Sequence, residues 1–251
     1  MSGCLEPLFE HRPGYRRLYP DLPAMGASPA PAWLDSSDHI LAALLDLVHE
    51  EIGTEPFLLI GESYGGYLAR AITAARPEQV SGLALICPTG VAALDRVRRT
   101  VPAHQALRPD PALLASITDE HLAESFAPMA VVQTPNTLDR FRAEIQPGLD
   151  AADLAAMDRI QRNWHLRLDP DQAQPFERPT LVLTGRQDSS VGYRDQLPLL
   201  DLYPRATFAI LDVAGHNLQI EQPALFEALV NEWLDRVAAE PHQHGIHLRP
   251  R

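Results

Sequence analysis

Ser63 stands in the hexapeptide GESYGG, Asp188 in GRQD and His216 in AGHN. A serine hydroxyl attacks a carbonyl only when a base takes its proton. An imidazole is such a base near neutral pH, and a carboxylate on its second nitrogen fixes the useful tautomer. Serine, acid and base in this chain order describe acyl transfer through a covalent intermediate, provided that folding brings the three together. Each residue also has a plainer reading: a helix-capping serine in a glycine-rich turn, an aspartate shaping a turn, a hydrogen-bonded loop histidine. Asp95, Asp201 and Asp212 are weaker candidates for the acid. The first two do not follow directly on a strand candidate, and Asp212 lies so close to His216 that it suits the shaping of that turn.

The elements around these residues decide between the readings. PFLLIG, Pro56 to Gly61, is a continuous apolar run of the kind a buried parallel strand shows. Behind it Tyr67, Leu68, Ala71, Ile72 and Ala75 fall on one helical face that stops near Pro77. Ser63 therefore sits on a sharp strand-to-helix turn, where Gly61, Gly65 and Gly66 allow strand and helix to approach closely. GLALIC (Gly82 to Cys87), TLVLTG (Thr180 to Gly185) and ATFAIL (Ala206 to Leu211) are further strand candidates. Asp188 and His216 follow the last two, so both are delivered to the carboxyl edge of the sheet beside Ser63. The Tyr64 N–H, at the start of the helix, faces any oxyanion formed there.

The remaining segments frame this core. Ile40, Leu41, Leu44, Leu45, Leu47 and Val48 recur at helical spacing behind Asp35, Ser36 and Ser37, each a possible N-cap. Asp21 to Trp33 is a proline-rich loop, and Phe226, Leu229, Val230, Trp233 and Val237 form a last amphipathic helix opening at Pro223. Strands alternating with helices predict an α/β fold, a mostly parallel sheet with helices on both faces. The alternation breaks after the strand candidate that follows the nucleophile region. Across 90–178 no strand stands out, while Leu154, Met157, Ile160, Trp164 and Leu168 share a helical face. We read 1–89 and 179–240 as the core, 90–178 as an inserted helical cap and 241–251 as a flexible tail. The tail's His242, His244 and His247 are read as polar termini rather than a metal site.

Composition narrows the function classes. With 251 residues and 45% apolar side chains the chain can fill a core without disulfide or metal staples. A formal charge of -12 repels phosphates, so nucleic acid and anionic membrane surfaces are not expected partners. Two cysteines, Cys4 and Cys87, the absence of a signal-like start and the lack of an eighteen-residue apolar run predict a cytoplasmic protein, with Cys87 a packed core thiol. No cofactor or metal is called for; the expected partner is a small-molecule substrate.

On RRLYPDLPAMGAS, GESYGG, TGRQD and AGHN, the sequence resembles the α/β-hydrolase superfamily, in particular its small capped bacterial members, from about Leu5 to Val237. The resemblance implies Ser63 as nucleophile, Asp188 as orienting acid, His216 as base and the Tyr64 amide as an oxyanion donor. It also implies a helical lid between Cys87 and Pro179. One departure is notable. Family members carry strands ahead of the region matching CLEPLFE, the last ending in a His-Gly motif whose loop supplies a second oxyanion donor, and no His-Gly pair precedes Ser63 here. That strand would lie between RRLYP and FLLIG, and its absence would leave them roughly 9.6 Å apart, beyond ladder hydrogen bonding. Two expectations follow: the natural start lies upstream, or RRLYP closes against FLLIG.

The expected function is a serine hydrolase of small, mainly apolar carboxylic esters or thioesters. The same three residues serve carbon-carbon bond hydrolases and perhydrolases. Ring-cleavage-product hydrolases commonly carry tryptophan after the histidine, where Asn217 stands here. Dehalogenases and epoxide hydrolases would need a carboxylate at position 63. A non-catalytic small-molecule-binding protein of the same fold is the alternative from another class, since losing one oxyanion donor costs roughly 2.7–4 kcal/mol of transition-state stabilisation.

Overall fold

The structure, a computed structural model, describes residues 2–89 and 100–240. Four strands, β1 (Phe57–Glu62), β2 (Val80–Ile86), β3 (Thr180–Gly185) and β4 (Ala206–Leu211), form one parallel sheet in the order β1-β2-β3-β4. The predicted strands at 180–185 and 206–211 match residue for residue, and the other two lie within two residues of their expected starts. Pro179 and Gly185 frame the first of these and Arg205 and Asp212 the second, which leaves little choice of boundary.

The two faces of the sheet follow from strand periodicity. Ala84, Ile86, Leu181 and Leu183 point into a cluster with Phe226, Val230, Trp233 and Leu234 of the last helix, which spans Pro223–Ala238. Leu83, Leu85 and Val182 point the other way, onto Ala69, Phe176, Leu199 and Tyr203. Alternate residues of one strand thus feed opposite layers, and the expectation of helices on both faces holds.

In chain order the helices are α1 (Ser2–Phe9), α2 (Ser37–Glu51), α3 (Tyr64–Ala75), α4 (Pro111–Ser116), α5 (Glu120–Phe126), α6 (Pro135–Glu144), α7 (Gln146–Asp150), α8 (Leu154–Gln161), α9 (Leu199–Leu202), α10 (Leu218–Glu221) and α11 (Pro223–Ala238). Ser36 is the N-cap of α2, its hydroxyl accepting from His39 N–H at 3.3 Å. The described part of the predicted cap, 100–178, holds α4 to α8, a 3₁₀ turn at Pro170–Gln172 and no strand beyond an isolated Arg108–Val132 bridge.

Two expectations are corrected. RRLYP is not a strand and does not close against β1. Its arginines leave the sheet, Arg16 pairing with Glu51 at the end of α2 and Arg17 with Glu6 of α1 at 2.7 Å. Ahead of it α1 buries Cys4, Leu5 and Leu8 against the sheet, a short helix that carries Pro7 and shows no strong sequence signal. The face read from Leu154 to Leu168 is interrupted, because α8 stops at Gln161 and Leu154 is 73% exposed. Asn163 ends the run: its carbonyl accepts from Ser37 N–H at 3.1 Å and its side-chain amide donates to the Asp35 carbonyl at 3.0 Å, which turns Trp164 onto Tyr64.

Candidate active site

One residue makes the turn from β1 to α3. Ser63 has φ 52° and ψ −119°, a conformation that costs a non-glycine residue on the order of 1–3 kcal/mol. It is held there from the neighbouring strand, its N–H donating to the Ile86 carbonyl at 3.0 Å and its carbonyl accepting from Thr89 N–H at 2.9 Å. Its hydroxyl makes no capping bond to α3, so the helix-cap reading does not describe it. Tyr64 opens α3, and an N–H in a first turn has no carbonyl within the helix to bind.

The close approach expected of three glycines is needed at two. A Cβ on Gly61 would collide with the Gly65 carbonyl oxygen and stand 2.8 Å from Gly66 N, and one on Gly66 would stand 2.8 Å from Pro88 Cβ. A Cβ on Gly65 would meet nothing within 4 Å. Gly61→Ala should therefore destabilise the fold by about 1–3 kcal/mol, because the obstruction is backbone and cannot rotate away. Urea unfolding checks this, with Gly65→Ala as the milder control.

Asp188 and His216 meet. The two turns are brought together because β3 ends on Gly185, where a Cβ would strike the Gly215 carbonyl oxygen and stand 2.5 Å from that of Ala214. Gln187 N–H then donates to the Ala214 carbonyl at 2.9 Å. Asp188 Oδ2 lies 3.0 Å from His216 Nδ1, while Oδ1 accepts the N–H groups of Ser190 at 2.8 Å and Val191 at 3.1 Å. Exposure is graded: Asp188 is 0% exposed, the His216 side chain 15%, and Ser63 is half-buried. Nδ1 is engaged, which leaves Nε2 for a hydroxyl. The hydrogen bonds of the described residues do not include one from Ser63 Oγ to His216, and such contacts often tighten only when substrate is bound.

The electrostatics follow from this pairing. Burial favours neutral Asp188, but the His216 hydrogen bond and charge, with the Val191 and Ser190 amides, outweigh it and lower its pKa. Burial likewise opposes an imidazolium at His216. The Asp188 hydrogen bond and the charges of Asp188, Glu62 and Glu221 win there, raising its pKa above the ordinary 6.5.

Sequence reasoning missed several neighbours. Glu62 accepts from Gln219 Nε2 at 3.0 Å, and Cys87, the buried core thiol expected, points Sγ at the Gly215 carbonyl at 3.5 Å. Ligand atoms of Cys87, Asp188 and His216 lie within 4.8 Å of one another, so the thiol backs the pair directly. Burial pushes this thiol's pKa up and keeps it protonated. Glu221 takes backbone N–H groups from both the histidine turn and the 100–178 interval. Among the described residues four that are not glycine have positive φ, and three of them, Ser63, Cys87 and Val213, lie just past β1, β2 and β4. Backbone strain gathers at the edge that holds the candidate residues. Of the weaker acids, Asp212 accepts from Gln187 Nε2 of the neighbouring Asp188 turn at 2.9 Å and Asp201 is exposed on α9. Asp95 and the tail histidines His242, His244 and His247 lie outside the described residues.

Parallel strands that end on a strained serine and on a buried aspartate-histidine pair are accompanied by a direct match. The family model for the alpha/beta hydrolase fold matches residues 3–223. The chain belongs to the α/β-hydrolase family. An alpha/beta superfamily hydrolase from Oenococcus oeni superposes with a TM-score of 0.82 at 30% identity, covering 90% of this chain and 83% of that one. This α/β-hydrolase is also 29% identical over 237 residues to a 2-hydroxymuconate semialdehyde hydrolase of a Pseudomonas species, covering 87% of this chain and 76% of the relative. Over a shorter stretch of 98 residues it is 40% identical to the lipase LipV of Mycobacterium tuberculosis, with 38% of this chain and 36% of the relative covered. No helix among the described residues of this α/β-hydrolase is long and apolar enough to cross a membrane.

Proposed function

We propose that this α/β-hydrolase is a serine hydrolase that cleaves small, mainly apolar carboxylic esters or thioesters through an acyl-enzyme. The carrying observation is the Asp188–His216 hydrogen bond at the same sheet edge as Ser63, whose backbone is strained and whose hydroxyl leaves the helix uncapped. Ser63 Oγ attacks the carbonyl carbon as its proton passes to His216 Nε2. The electron pair moves onto the carbonyl oxygen, which takes the Tyr64 N–H and the positive end of α3. As the carbonyl re-forms, the bond to the leaving alcohol or thiol breaks and the proton on His216 goes to that group. Water, deprotonated by the same imidazole, then releases the acid and restores Ser63.

In this reading the 90–178 interval is the cap. Its support is that Trp164 stacks on Tyr64 with ring centroids 4.2 Å apart, while the Val131 and Val132 amides reach the histidine turn through Glu221. Tyr64 directly follows Ser63 in the chain, and in this reading its ring, stacked on Trp164, faces an apolar acyl group. Carbon-carbon bond hydrolysis is the second reading, favoured by the likeness to the 2-hydroxymuconate semialdehyde hydrolase. Asn217 after the histidine counts against it.

Turnover of p-nitrophenyl acetate and butyrate, set against a 2-hydroxy-6-oxo-dienoate, tests the choice. The pH profile tests the base. Only neutral His216 accepts a proton, and its pKa is raised, so ester turnover should climb with pH to a half-point above 6.5. A flat rate between about pH 5 and 8 would remove histidine from the base role.

A further inference from the structure

Glu221 ends α10, and its side chain does more than close that turn. One carboxylate oxygen accepts Gly215 N–H at 2.6 Å, and the other accepts Val131 N–H at 2.7 Å and Val132 N–H at 3.3 Å. Gly215 directly precedes His216, whereas Val131 and Val132 belong to the helical interval between α5 and α6. One side chain, 7% exposed, thus joins two segments that are remote in sequence. The segments also touch directly, since a Cβ on Gly215 would stand 2.9 Å from Val131 Cγ2, and the Asp188 turn reaches the same interval, with Ser190 Oγ 3.5 Å from Met129 Sδ. Arg140 of α6 donates to the Gln219 carbonyl at 3.1 Å, so α10 is gripped from the same side.

We propose that Glu221 is a positioning residue that fastens the His216 turn to the 129–132 segment, so that one carboxylate aligns the base with the helical interval. The catalytic half of this proposal rests on the serine-hydrolase reading above; the clamp itself does not. An ionised carboxylate suits the task because it offers lone pairs on both oxygens and no donor. Glutamine would turn an NH2 toward one set of backbone N–H groups and forfeit those bonds. The charge lies near Asp188 and His216, with Glu62 and Arg140 reached through Gln219. Burial foremost, with the Asp188 charge adding to it, outweighs the three amides and raises the Glu221 pKa to about 7.

Amide hydrogen exchange on the wild-type chain tests the clamp. The N–H groups of Gly215, Val131 and Val132 should share one protection factor within about threefold, because one opening event frees all three. Gly215 protected while Val131 and Val132 exchange at free-loop rates would overturn it. In folded Glu221→Gln the shared protection should fall about tenfold or more, since charge-assisted bonds are lost. Above about pH 7, where Glu221 is ionised, ester kcat should fall by a similar factor, and the half-point of the pH profile should move to lower pH as His216 loses a neighbouring negative charge. An unchanged kcat with an unchanged half-point in folded Glu221→Gln would overturn the positioning role. If the wild-type chain turns over no ester, it is the hydrolase reading that fails, and the exchange result still decides the clamp.

Discussion

If the proposed reading holds, Ser63→Ala should lower ester turnover by about four to six orders of magnitude and abolish labelling by a fluorophosphonate probe. The effect is expected to be this large because serine and base act as a unit. Without Oγ there is no acyl-enzyme, and His216 has no proton to accept. What survives is the contribution of binding and of the Tyr64 amide. The fold should tolerate the change, since the Ser63 hydroxyl makes no capping bond and the turn is held by the Ser63 backbone to Ile86 and Thr89. Stopped assays on both proteins, with melting temperatures compared, give the answer. A variant that still labels at the wild-type rate would place the nucleophile elsewhere.

Asp188→Asn should lower kcat by about ten-thousandfold in a protein that remains folded. The two Asp188 oxygens have different partners. Oδ1 receives the Ser190 and Val191 N–H groups, and only an acceptor can occupy that place. An asparagine must therefore keep its carbonyl there and present its NH2 to His216 Nδ1. The imidazole then has to accept at Nδ1 and carry its proton on Nε2, where it cannot take one from Ser63. The wrong tautomer is imposed by two backbone amides that the substitution leaves intact. Loss of less than tenfold would mean that the carboxylate does not orient the base. A nitrogen-15 spectrum of the His216 ring reports the tautomer independently of turnover.

The sheet was legible because its strands are short apolar runs between polar or turn-forming residues, as in Thr180–Gly185 after Pro179 and Ala206–Leu211 between Arg205 and Asp212. RRLYP misled. The resemblance implies a strand there, but Arg16 and Arg17 pair with carboxylates on Glu51 and Glu6 of two different helices, and the segment stays outside the sheet. The run from Leu154 to Leu168 keeps helical spacing, yet Asn163 spends its polar groups on Asp35 and Ser37, and the helix cannot continue through it. Spacing reports what a helix would bury, not whether a competing hydrogen bond ends it.

The sequence by itself determined the strand ends and, with them, the edge on which Ser63, Asp188 and His216 lie. Residues that follow parallel strands must emerge on the same side of the sheet, whatever the strand order. Tertiary structure alone decided which oxygen of Asp188 meets the imidazole, that Cys87 backs the pair and that Glu221 ties the histidine turn to Val131 and Val132. Those contacts join segments remote in the chain. A glutamate five residues after a histidine looks the same in sequence whether its oxygens meet water or three buried amides, and only packing, by excluding the water, selects the amides.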